Sequence, residues 1–191
     1  MAGTAGDPAV ASTAGDRAAN NEHGKGLSDR QDRVTSSSVH GVELRVVRYD
    51  LLVAQALVSA AMADLGERYG GPGDETPVSA EEFVPPHGAF LVAFLDGEAV
   101  GCGGWRDHGD GVAELKRLYT SPSARRRGVA RRLLTAVEDS ARSYGRKRMI
   151  LECGDRQPEA IQLYRSHGYE PIPHFGFYRD APGVVSLGRD L

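Results

Sequence analysis

Apolar and polar positions alternate over Val42–Tyr49, the period of a half-buried strand, so the patterned part of the chain is expected to begin with one. The period then lengthens. Leu57, Ala61 and Leu65 recur at helical spacing, which predicts a helix from about Leu51 to Arg68 with Asp50 as its N-cap. Gly, Pro and acidic residues fill the loop from Tyr69 to Pro77. Ser79-x-x-Glu82 then has the form of a capping box for a short second helix, which Pro85-Pro86 stops. Phe90–Leu95 and Ala99–Trp105 flank Asp96-Gly97-Glu98, a hairpin signal, and His108-Gly109-Asp110-Gly111 turns again into Val112–Ser121. This predicts three antiparallel strands in succession. Val129, Leu133, Val137, Ala141 and Tyr144 mark the next helix, ended by Gly145. Met149–Glu152 reads as a short strand, and Pro158 suits the first turn of a helix running to His167 and closed by Gly168. Tyr169–Ile172 and Val184–Leu187 read as the last strands. The order βααβββαβαββ predicts an α/β fold (mixed α+β): a mixed central sheet with helices on both faces.

Composition changes the picture at the N-terminus. The first 38 residues hold no Phe, Tyr or Trp and only three large aliphatics, Val10, Leu27 and Val34. Such a segment buries too little apolar surface to offset its ordering entropy, so 1–38 is expected to be a disordered tail and 39–191 a single domain. The tail lacks the apolar stretch of roughly 7–15 residues that a secretory signal needs. The most apolar run, Leu51–Ala63, is broken by Gln55 and Ser59, so no membrane span is expected. The expected location is therefore the cytoplasm. There Cys102 and Cys153 would be buried thiols rather than a disulfide. The six histidines show no metal-ligand spacing, and no metal is expected.

A net charge of −3 argues against a general nucleic-acid or membrane binder, but the charge is unevenly spread. Lys116–Arg148 holds eleven Lys/Arg against Glu138 and Asp139, whereas Asp64–Glu82 holds six acids against Arg68. Either run could be a solvated face. The sharper reading is a polyanionic ligand on one side and a cationic one on the other.

The segment Glu114–Leu134 carries the most chemistry. A β-prone run ends at Ser121-Pro122; Arg125, Arg126 and Arg127 follow, and Gly128-Val129-Ala130 opens an amphipathic helix. A helix N-terminus presents unpaired N–H groups and the positive end of the helix dipole, and Gly128 permits close approach to the backbone. A diphosphate is the natural guest.

These residues resemble the GNAT superfamily of N-acetyltransferases over about 42–191. The resemblance is carried by Ala113–Thr120 (AELKRLYT) and by Arg125-x-x-Gly128-x-Ala130. Leu151-Glu152 and Pro158–Tyr169 (PEAIQLYRSHGY), about 30 residues after Gly128, complete it. It implies acetyl-CoA as cosubstrate, bound where two parallel central strands splay apart, with its pyrophosphate on the Arg125–Ala130 loop (Arg125, Arg126, Arg127, Gly128, Val129 and Ala130). It further implies pantetheine contacts from the backbone of Leu118, Tyr119 and Thr120. Tyr164 matches the family's tyrosine acid, although its helical face would equally suit a core aromatic. Glu114 and Glu152 match glutamates that serve as base in different members; Glu114, in the better-matched segment, is the first expectation for the base, with Glu152 second and a water relay for either. Each could instead be a strand carboxylate paired with Arg117 or Arg148. Pro158 replaces an Asn that contacts the cofactor in many members, which leaves Gln157 or Arg156 to supply that contact. Ala130 stands where Gly is commoner.

The chemistry needs a base because an alkylamine with a pKa of about 10 is almost wholly protonated at neutral pH. It also needs an acid for the departing thiolate. The acceptor is expected to be a small cationic amine met by Asp74, Glu75, Glu81 and Glu82. Pro171–Tyr178 would serve as an aromatic wall or as a Pro-stiffened hairpin, and Trp105 as core or acceptor wall. A protein N-terminus or lysine, and a non-catalytic acyl-CoA sensor, remain alternatives. The family often pairs through its C-terminal strands, so a homodimer is a further expectation. Nucleic acid and membrane are not expected partners.

Overall fold

Residues 41–191 are described by the computed structural model, and the segment 1–38 lies outside them. The elements are β1 (Val42–Val47), α1 (Leu52–Tyr69), β2 (Gly88–Leu95), β3 (Glu98–Gly109), β4 (Val112–Thr120), α2 (Val129–Ser143), β5 (Arg148–Gly154), α3 (Pro158–Ser166), β6 (Glu170–Pro171) and β7 (Val184–Asp190). Among the described residues the strands form one sheet in the order β1-β2-β3-β4-β5-β7-β6. Neighbours run antiparallel except β4 and β5, which are parallel.

Helices cover both faces, as the pattern requires. On one face Leu133, Leu134, Val137 and Ala141 of α2 pack against Leu91, Trp105, Ala113 and Leu151. On the other, Ala54, Leu57 and Val58 of α1 meet Phe90, Val92 and Cys102, with Tyr49, Phe83 and Phe90 in ring contact. Trp105 is fully enclosed on the α2 face and its indole N–H donates to Ser140 Oγ at 3.0 Å, so it belongs to the core and not to an acceptor wall.

Several boundaries differ from the sequence expectation for identifiable reasons. Asp50 does not cap α1: its carboxylate takes the Arg48 guanidinium, and Leu51 stands at the N-cap with no side-chain hydrogen bond. The capping box forms, with the Ser79 N–H donating to Glu82 Oε2 at 2.7 Å, but it closes only a four-residue 3-10 turn, Ala80–Phe83. Strand β3 continues through His108 to Gly109 because the turn needs only Asp110 and Gly111, both at positive φ. Tyr144 follows the end of α2 and is half-exposed.

Candidate active site

The parallel pair β4–β5 hydrogen-bonds in register only from Val112↔Arg148 to Glu114↔Ile150. Past those positions the strands run on, to Thr120 and Gly154, without pairing to each other. The opening has a local cause. Between Gly104↔Lys116 and Cys102↔Tyr119, β3 advances two residues and β4 three, so β4 carries one extra residue, a β-bulge. Arg117 sits in it at φ +58, and its guanidinium is anchored by the Asp74 carboxylate and the Thr76 carbonyl. Cys102 Sγ donates to the Arg117 carbonyl at 3.4 Å from the opposite side, and burial pushes that thiol up to about 12.

Between the free strand edges lies a cavity of about 400 Å³. Leu118 and Tyr119 of β4, Glu152 and Cys153 of β5, and Gln157 and Tyr164 beyond it all face this one space. Lys116, Arg117, Asp64, Tyr69, Asp74, Glu75, Thr76 and Tyr178 complete its polar lining. Glu114 is not part of the wall. It is 2% exposed; Arg106 Nε donates to its Oε2 at 2.7 Å and Lys116 Nζ to its Oε1 at 3.3 Å. Glu152 faces the cavity, and its Oε1 accepts from the Phe175 N–H at 3.2 Å and from Ser186 Oγ at 3.3 Å. Tyr164 is buried among apolar groups; burial first, then the neighbouring Cys153, raises its phenol above the ordinary range, so it holds its proton at neutral pH.

The loop ahead of α2 is a separate piece of the site, outside the cavity wall. Arg125, Arg126, Arg127 and Gly128 are exposed, whereas the Val129 side chain is buried, so that residue offers a ligand only its backbone. Gly128 is the N-cap at φ +79, and no side chain caps the helix. Its first N–H groups therefore point outward without intrahelical partners. Arg125 is engaged, donating to Asp64 Oδ1 at 2.7 Å and to the Thr120 carbonyl at 3.2 Å, and so joins the loop to α1. Thr120 Oγ1 is buried and finds no hydrogen-bond partner among the described residues.

The acidic side differs from its expected form. Asp74 neutralises Arg117, Glu82 pairs with Arg106, and Glu81 does not line the cavity. Burial by itself would raise the Asp74 carboxyl; Lys116, the Thr76 hydroxyl and Arg117 outweigh it and hold it below the usual range. Glu75 and Glu152 line the cavity with no ion pair among the described residues. Of the expected aromatic wall only Tyr178 reaches the cavity, and its hydroxyl accepts the Glu75 N–H at 2.6 Å, which ties two loops together. Ser186 escaped the sequence reading, which named Lys116 only within the Ala113–Thr120 motif and His174 only within the Pro171–Tyr178 wall. Strand alternation would have put Lys116 on the face of Glu114, but nothing local announces that Ser186 pairs with Glu152 across β5 and β7.

The sequence model of the acetyltransferase (GNAT) family matches residues 54–169. The chain belongs to the GNAT family. Among its relatives is an IAA acetyltransferase of Azospirillum brasilense, 36% identical over 128 residues, which span 66% of this chain and 83% of that protein. Another is an aminoglycoside N(6')-acetyltransferase type 1 of Salmonella typhimurium, 28% identical over 119 residues, 58% of this chain and 82% of the relative. A Klebsiella pneumoniae structure described as an acyl-CoA N-acyltransferase superposes with a TM-score of 0.66 at 28% identity, covering 78% of this chain and 97% of that one. This GNAT protein is accordingly an acyltransferase, and the splayed strand pair is its candidate catalytic centre.

Proposed function

We propose that this acyltransferase moves the acetyl group of acetyl-CoA onto a primary amine of a small cationic molecule, with Glu152 as base and Tyr164 as acid. The observation that carries the reading is the convergence of Leu118, Tyr119, Glu152 and Tyr164 on the one cavity opened by the splay. The residues present suit acetyl-CoA. The uncapped α2 N-terminus, with open space where a Gly128 Cβ would stand, fits a diphosphate, with Arg126 and Arg127 beside it. The orphaned Thr120 hydroxyl and the unpaired β4 edge at Leu118 and Tyr119 fit the pantetheine amides, and Gln157 is available in place of the Asn that many members have one position later. When bound, acetyl-CoA supplies an activated acyl carbonyl and a thiolate leaving group.

The chain's own groups then have distinct tasks. Glu75 and Glu152 favour a cationic guest. Glu152 accepts one proton from the ammonium and frees the nitrogen lone pair. A backbone N–H near Leu118 would meet the charge that develops on the carbonyl oxygen. Tyr164, held protonated by burial, would give its proton to the departing sulfur and regain one from the second N–H that the attacking nitrogen must lose. Glu152 is preferred to Glu114 because Glu114 spends its carboxylate on Arg106 and Lys116 outside the cavity wall. The Tyr178–Glu75 tie favours an enclosed acceptor over an extended groove. The relatives named for IAA and for aminoglycosides point the same way, toward a small molecule. Tyr164→Phe is expected to lower kcat by about 10²-fold while acetyl-CoA affinity, measured by calorimetry, stays within two- to three-fold. Unchanged kcat would remove Tyr164 from the chemistry.

A further inference from the structure

A base on a cavity wall must shed the proton it has taken before it can act again, and Glu152 has a hydrogen-bonded way out. Its Oε1 accepts from Ser186 Oγ at 3.3 Å, and Ser186 Oγ lies 2.9 Å from His174 Nδ1. The two ends of this chain differ in exposure. Glu152 lines the cavity and Ser186 is buried at 3% exposure, while His174 lies on the exposed β6–β7 connection. The register fixes the first contact, since Glu152 and Ser186 are direct partners across β5–β7. The second is fixed by the Ile172 N–H donating to the Ser186 carbonyl, which brings the connection back beside β7. Gly176 leaves the carboxylate room on the other side: a Cβ there would stand 2.6 Å from Glu152 Oε2.

We propose that Glu152, Ser186 and His174 form a proton exit from the acceptor site to the surface; the inference rests on Glu152 being the base. The acceptor's N–H bond breaks as an O–H bond forms on Glu152, which becomes neutral. Glu152 then passes that proton to Ser186 Oγ while the Ser186 hydroxyl gives its own proton to His174 Nδ1. A hydroxyl suits this middle position because it accepts and donates at once. The resulting imidazolium returns its Nε2 proton to water; before the next turnover the ring moves its remaining proton from Nδ1 to Nε2 through water and the Ser186 hydroxyl turns from Glu152 toward Nδ1. Ser186 and His174 are positioning residues in this scheme, acting only through Glu152.

The test compares Ser186→Ala, Ser186→Thr, His174→Ala and Glu152→Gln in the full chain, with acetyl-CoA and spermidine, kanamycin or lysine, whichever is turned over. The relay predicts that Ser186→Ala and His174→Ala each lower kcat by about 10-fold with KM within two-fold, part of the range that acid–base assistance covers. Ser186→Thr retains most of the rate, and added imidazole restores His174→Ala, which a structural role would not permit. Nitrogen NMR, which needs no acceptor, is expected to show His174 Nδ1 carrying a proton and donating it to Ser186 Oγ in the native chain, because the single Ser186 proton goes to Glu152, and a shifted signal in Ser186→Ala. Wild-type kcat in both truncations alongside an inactive Glu152→Gln overturns the relay alone. Full activity in Glu152→Gln overturns the base assignment and the relay with it. If none of the three amines is turned over, an Nδ1 signal indifferent to Ser186→Ala overturns the relay, and a shifted one supports it.

Discussion

A carboxylate works as a base only where it meets the proton it removes, and two glutamates one strand apart differ in that respect. Glu114 is enclosed between Arg106 and Lys116, and removing a partner from such a buried set costs about 3–5 kcal/mol. That is the arrangement of a structural ion pair. Glu152 keeps a neutral hydrogen-bonded setting on the cavity wall. Cys153, the next residue, reports on the same surroundings. Burial first, then the Glu152 charge, pushes its thiol up to about 11. A raised pKa keeps the thiol neutral through the physiological range, so at pH 8 only about 10⁻³ of it is thiolate, the reactive form. Cys153 should therefore react slowly with a disulfide reagent at pH 8 and about ten times faster per pH unit until the rate levels near pH 11. Rapid labelling at pH 8 would contradict its placement.

At the scale of elements, function follows from two irregularities in otherwise ordinary structure: the extra residue at Arg117 and the bare N-terminus of α2. The first parts β4 from β5; the second presents N–H groups with no capping side chain. Gly128 serves the second directly. At φ +79 any side chain costs about 1–2 kcal/mol, and a Cβ built there meets nothing within 4 Å. Gly128→Ala thus measures the backbone cost, and Gly128→Val adds bulk where the diphosphate would lie. Calorimetry is expected to show CoA affinity falling by at least about 10-fold in the valine variant and less in the alanine variant. Equal affinity in the valine variant and the native chain would remove the loop from the binding site. This loop was legible in the sequence because every part of it is local: three arginines, a glycine and a helical period. The element order was legible for the same reason. The bulge was not, since nothing around Arg117 distinguishes it until Asp74, far away in the chain, supplies its anchor.

Across the whole molecule, part of the expected opposition of a basic and an acidic side resolves into pairs. Asp64 takes Arg125 and Arg68, Asp74 takes Arg117, and Glu82 takes Arg106. Charge runs counted along the chain overstate what remains for a ligand, because folding brings opposite runs together. The residues left to meet an acceptor come from α1, its following loop, β4, β5 and the β6–β7 connection, a set that no single sequence window contains. Among the described residues no helix is long and apolar enough to cross a membrane. The measurement that bears most directly on the account is thiol release from acetyl-CoA against spermidine, kanamycin, lysine and a short peptide, run on the native chain, Glu152→Gln and Glu114→Gln. The account predicts acceptor-dependent release with at least one small amine. Glu152→Gln should lower it by about 100-fold or more, whereas Glu114→Gln, while folded, should keep it within several-fold. No acceptor-dependent release, or loss in Glu114→Gln with Glu152→Gln unaffected, would contradict it.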